Sequence, residues 1–194
     1  MFSSHSLFAQ RYEADVETYR TNYKNEFLTD EKSPLKASDT SFLRFYEPDI
    51  RYKVIANFEP SKDTNTIIIP THSGKKKAYK VYGAVSFKLP MLKGQFQLQV
   101  YRSMDLMKSD KYKDHLFLPF TDATNYRTTY AGGRYLDLSI ADIQQGKIEI
   151  DFNKAYNPYC AYAEGYNCPI PPKENKLVVK IPAGEKMFAK PITH

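Results

Sequence analysis

Tryptophan is absent from the 194 residues, histidine occurs four times and cysteine twice. Without Trp the bulky core volume has to come from 16 Tyr and 12 Phe, whose rings supply large apolar area. Of the histidines, His5 and His194 sit in the terminal stretches, His72 adjoins the Ser73-Gly74 turn and His115 opens an apolar run. None is beside a candidate nucleophile in sequence, which argues against a His-dependent triad. Also missing are a G-x-S-x-G elbow, a P-loop, a G-x-G-x-x-G turn and an H-E-x-x-H helix, so no cofactor and no metal is expected. No apolar run approaches the roughly 20 residues that span a bilayer, which excludes a transmembrane segment within the sequence.

What is present suits one globular domain: 42% apolar residues, 26% charged residues and a length that a single core can accommodate. The net charge of +6 invites a nucleic-acid reading. Clustering speaks against it, because Lys75-Lys76-Lys77 belongs to a hairpin tip and Lys108, Lys111 and Lys113 alternate with Asp105, Asp110 and Asp114. No nucleic-acid partner is expected.

Residues 1–10 are small and apolar up to Ala9-Gln10, and charge begins at Arg11. They read as the remnant of a secretory signal peptide or as a disordered tail, ahead of a single domain over 11–194. Cys160 and Cys168 lie eight positions apart on a Pro-rich stretch. An even pair of this kind fits a disulfide in an oxidising compartment better than an incomplete zinc site, and no C-x-x-C redox pair exists. The protein is accordingly expected to be extracytoplasmic, either periplasmic or secreted.

From Arg11 the apolar positions Tyr12, Val16, Tyr19, Tyr23 and Phe27 recur at steps of three and four, which predicts an amphipathic helix over 11–28. The period then changes to two. Alternation predicts strands over 52–58, 66–69, 79–89 and 95–101, the last two paired as a hairpin through Leu92-Lys93-Gly94. Further strands are expected over 115–119, 135–138, 147–152 and 177–181. Without helices between the strands a parallel sheet is excluded, leaving a mainly β fold: an antiparallel barrel or sandwich with the N-terminal helix packed against it.

Polar density concentrates in the last third. Phe120-Thr121-Asp122-Ala123-Thr124 closes one strand, and Tyr130-Ala131-Gly132-Gly133-Arg134 turns back into the next. Asp122 and Thr124 can cap a turn, with Arg134 pairing Asp122 structurally. Alternatively Arg134 anchors an anionic ligand through its planar fork. Beyond these, the stretch from Asp151 to Asn175 combines Asn, Tyr and Pro with both cysteines.

These segments carry a resemblance. Phe120-x-Asp122-x-Thr124, Tyr130-x-x-Gly133-Arg134-Tyr135-Leu136, Asp151-Phe152-Asn153-x-Ala155-Tyr156-Asn157-Pro158-x-Cys160, Cys168-Pro169-x-Pro171-Pro172-x-Glu174-Asn175 and Ala183-Gly184-Glu185-Lys186 together resemble the bacterial family catalogued as domain of unknown function 1684. Longer members have a Trp-containing region after the leading helix; this chain is a short form that lacks it. The resemblance implies no activity.

The candidate binding residues are therefore sorted by chemistry. Asp151, Asn153, Asn157, Glu174 and Asn175 offer carboxylate and amide groups, Tyr130 and Tyr156 offer phenols, Asp122 and Thr124 offer oxygens, and Arg134 offers the cation. The expected function is binding of a small polar or anionic ligand, or of an envelope protein, in a pocket edged by the 120–135 turns and the 151–175 loop. A hydrolase using Asp122 with Asp151 or Glu174, with or without a metal, is the alternative; a structural subunit of the cell envelope is another.

Overall fold

The computed structural model describes residues 4–63 and 65–190; positions 1–3 of the expected leader remnant and His194 lie outside the described residues. One long helix, α1 (Ser4–Thr29), precedes seven strands: β1 (Lys53–Pro60), β2 (Thr66–Pro70), β3 (Lys76–Phe87), β4 (Phe96–Ser103), β5 (His115–Phe120), β6 (Arg134–Ser139) and β7 (Lys147–Asp151). All pairings between strands are antiparallel, in the order β6-β5-β4-β3-β1-β7, with β2 added to β3. The sheet thus curls into a half-barrel whose two ends, β6 and β7, are consecutive in sequence yet do not pair.

The period-two stretches form the strands they predict. Phe87 opposes Phe96 across the expected hairpin, and Val85, Phe87, Leu98, Val100, Leu116, Leu118, Leu136, Ile148 and Ile150 fill the concave core. On the convex face Ile69, Tyr79, Tyr101, Phe117 and Tyr135 make a second cluster, so Tyr and Phe do supply the volume that Trp would have given.

Two elements differ from the sequence reading. The helix begins at Ser4 rather than Arg11, with Leu7 and Phe8 exposed. The expected strand over 177–181 does not form. Its alternation is real, because Leu177 and Ile181 are buried in the main core while Val178 is 81% exposed. The backbone, however, runs across the end of the sheet instead of along an edge. Leu177 N–H donates to the Thr121 carbonyl at 2.8 Å, and Ala123 N–H donates to the Val179 carbonyl at 3.0 Å. Residues 176–187 therefore act as a strap over the mouth of the half-barrel.

Gly184 lets the strap turn inward. Its φ is +76°, and a Cβ there would lie 2.6 Å from the carbonyl oxygens of Phe152 and Ala155.

The helix docks where β7 ends. Tyr12 and Val16 are buried, Tyr19 donates to the Lys154 carbonyl at 3.1 Å, and Tyr23 and Phe27 join a cluster with Tyr162, Leu35 and Leu43. Arg20 lies on the docked face as well, between Val16 and Tyr23: it is buried, with its guanidinium 4.8 Å above the Phe45 ring and donating to the Tyr46 carbonyl at 2.7 Å.

Candidate functional site

Asp122 and Arg134 meet at 2.7 Å with both side chains fully enclosed. Asp122 Oδ1 accepts from the Thr124 N–H and hydroxyl and from Ile181 N–H, and Arg134 also donates to the carbonyls of Ile181 and Ala183. The pair ties β6 and the 121–129 turn to the strap. Of the two readings of Arg134, this geometry matches the structural pairing with Asp122: the guanidinium is sealed from solvent, its terminal nitrogens are engaged with carbonyls and a carboxylate, and only the buried Nε lacks a partner among the described residues, out of reach of an anion in solution. Asp122 is enclosed in the same pair and lines no groove among the described residues.

The other expected residues separate in the same way. Thr124 and Thr129 bond to each other at 2.8 Å in the buried turn, and Tyr130 packs its ring edge against His72. Asn153 bridges Asp49, Tyr12 and Asp151. Asn157 N–H donates to Glu185 at 2.8 Å and its side-chain amide to the Lys186 carbonyl at 2.8 Å. Asn175 is fully buried and bonds the backbone of Gln99 on both sides as an extra strand would, while Glu174 is exposed. Cys160 and Cys168 form the expected disulfide, with Cα atoms 6.2 Å apart. The closed loop is held against β2 through Ile170 N–H to the Pro70 carbonyl at 2.8 Å.

Asp151 and Tyr156 have a different setting. They line a groove of about 1050 Å³ at the seam that β6 and β7 leave open, roofed by α1. From α1 come Tyr19, Asn22, Tyr23, Glu26 and Phe27; from β6 come Leu136, Asp137 and Leu138; from β7 and beyond come Lys147, Glu149, Asp151, Lys154 and Tyr156.

The strand registers direct main-chain groups toward the same space. Phe58 N–H donates to Gly146 at 2.8 Å and Lys147 exchanges two 2.9 Å bonds with Gln144, so by alternation Glu149 turns its N–H and C=O away from β1. On β6, Tyr135 exchanges bonds of 2.9 and 3.0 Å with Tyr156 on the side away from Pro119, which has no N–H to give. Two residues on, the main chain of Asp137 faces the seam as well.

The groove is acidic. Asp137 accepts from His115 Nε2 and the Tyr156 hydroxyl, each at 2.9 Å, and Glu149 pairs with Lys53 at 3.1 Å. Asp151 is only 5% exposed; its Oδ1 accepts from Tyr12 at 2.9 Å and from Asn153, but its buried Oδ2 has no partner among the described residues. Burial raises the Tyr19 phenol above the ordinary range, assisted by the charges of Asp137 and Glu26, and burial followed by Asp137 does the same to Tyr156. Behind the groove, Glu185 is fully buried and accepts from Tyr162 at 2.7 Å, Tyr23 at 3.1 Å and Asn157 N–H at 2.8 Å. Burial pushes its carboxyl up to about 7, against the opposing effect of those bonds.

Reading the sequence alone missed Tyr19, Glu26, Asp137 and Glu149. The available signal was the placement of Asp137, Glu149 and Asp151 on the outward face of strands whose inward face is apolar. Among the described residues no three His, Cys, Asp or Glu side chains are placed to hold a metal ion, and no helix is long and apolar enough to cross a membrane.

A family model described as a protein of unknown function (DUF1684) matches residues 40–186. Among solved structures, the chain is similar to an uncharacterized protein of Haloarcula marismortui determined by solution NMR: identity is 28%, coverage is 92% of this chain and 95% of that one, and the TM-score is 0.69. No curated protein matches the sequence.

Proposed function

The chain belongs to the DUF1684 family of proteins of unknown function, and on that premise we propose that it is a binding protein taking a small polar ligand in the seam groove beneath α1. The observation that carries this reading is the groove itself. It holds a volume at the upper end of small-molecule sites, has apolar and aromatic side chains in its walls, and counts in its lining Asp151, whose enclosed Oδ2 has no partner among the described residues. The site lies at one end of the stretch expected from sequence, with Asp151 and Tyr156 retained and the Asp122–Arg134 turn replaced by Asp137, Glu149 and the helix. We place the protein outside the cytoplasm, as periplasmic or secreted. The support is the Cys160–Cys168 disulfide, since such bonds persist in oxidising compartments.

The test is a thermal-shift screen of small polar compounds followed by amide chemical-shift mapping of each hit. Binding in the groove perturbs Tyr19, Asp137, Glu149 and Tyr156 together. Hits that instead perturb only the 120–135 turns or the 160–175 loop would overturn this placement.

A further inference from the structure

We infer that the seam groove is built for an organic cation, a primary ammonium or guanidinium on a short carbon stem, with Asp151 as its anchor. This rests on the binding reading above and assigns the class of ligand.

The charge balance decides the sign. Five carboxylates line the groove (Glu26, Asp137, Asp142, Glu149 and Asp151) against the ammonium groups of Lys147 and Lys154 in the lining and of Lys53, which pairs with Glu149, so the acids stay in excess on a chain whose overall charge is +6. An anion entering here meets an acidic face on a basic protein. Arg134, which would have reversed this, is sealed elsewhere.

Asp151 gives the position. Tyr12 and Asn153 hold Oδ1 and thereby fix the carboxyl plane, leaving Oδ2 buried and without a hydrogen bond. A buried carboxylate oxygen left unpaired is costly, and a charge-assisted N–H donor is the group that relieves it. On the roof, the Glu26 carboxylate makes no hydrogen bond or ion pair among the described residues. The two acids are carried by different elements on the same groove, so a stem with a cationic head meets one and can address the other.

The walls between them favour a stem over a bare ion. Tyr19, Phe27 and Tyr156 present ring surface, and the protein's own cations already use such faces: Lys154 Nζ lies 5.5 Å from the Tyr19 centroid and Lys53 Nζ 5.5 Å from that of Tyr12. No three acidic groups among the described residues converge as a metal ion requires. The seam-facing carbonyls of Asp137 and Glu149 add acceptors for further N–H groups.

The experiment compares three probes of one length, diaminopentane, pentanediol and glutarate, by NMR titration and calorimetry on the full chain. Diaminopentane is expected to shift the amides of Asp137, Glu149 and Asp151, more weakly as salt rises, while the diol and the diacid leave them unmoved. Asp151→Asn should weaken diaminopentane about tenfold or more, the effect of losing a charge-assisted bond. Because Asp151 also secures Tyr12, Glu26→Gln on the exposed face of α1 serves as the second variant, with a severalfold loss expected. Unchanged affinity in Glu26→Gln, or shifts confined to acids outside the groove, would sink the cationic assignment. If glutarate or pentanediol moves the groove amides and diaminopentane does not, the groove remains a binding site and the ligand class is wrong. If none of the three does, both readings fall.

Discussion

Asp122 and Arg134 show how one pair of residues changes meaning with burial. On a surface their 2.7 Å contact would contribute little; enclosed, it joins two charges that have left water together with several carbonyls that now depend on the guanidinium. Replacing Asp122 with Asn leaves Arg134 charged and uncompensated, so a loss of about 3–5 kcal/mol is expected in urea unfolding. Neither residue lines the groove, so ligand affinity of the folded protein should stay at the wild-type level.

Glu185 gives a second residue-scale outcome. Its carboxyl ordinarily titrates at 4.5 and in the folded protein at about 7. Between those values the folded state binds more protons than the unfolded chain, so stability falls as pH rises through that window. Glu185→Gln removes the group and should flatten that part of the curve. Melting temperatures of the two proteins from pH 4.5 to 7 provide the comparison, and parallel curves would show that Glu185 is not the group responsible.

At the scale of elements, the disulfide loop and the helix divide structural from functional roles. The bond between Cys160 and Cys168 closes a short ring, and its removal in a Cys160→Ser, Cys168→Ser protein should lower stability by about 2.5 kcal/mol. The groove should survive this change, because Tyr156 is held independently by its two main-chain bonds to Tyr135. Calorimetric unfolding with a ligand titration separates the effects. The helix was legible because its aromatic stripe has a local period, and the strands because their inward faces alternate. The stretch 177–181 shows where that legibility ends: alternation records which side chains are buried, and Leu177 and Ile181 are buried, but it does not record whether a neighbouring edge exists to pair with. Likewise the concentration of polar residues in the 151–175 stretch is legible in the sequence. Their partners were not legible, since Asn175 meets Gln99 and Asn153 meets Asp49 across long stretches of chain.

At the scale of the whole molecule, the groove and the strap are two consequences of a half-barrel that does not close. Seven strands leave β6 and β7 apart, and the seam between them is covered by α1 on the outside. The barrel mouth is covered by residues 176–187, whose Leu177, Ile181 and Ala183 belong to the same core as the strands. No periodicity could reveal this arrangement, because a site made by absent closure is a property of topology. The strap lacks strand geometry, yet its contacts make it part of the cooperative unit: Ile181 and Ala183 are fully buried, Glu185 N–H donates to the Ala155 carbonyl at 2.8 Å, and Lys186 N–H to the Arg44 carbonyl at 2.8 Å. Native-state hydrogen exchange should therefore find the Leu177, Glu185 and Lys186 amides opening with the free energy of global unfolding, alongside the central strands β3 and β4. Exchange of these amides at a much lower free energy would mean that the strap detaches on its own and that the core of the half-barrel is sufficient without it.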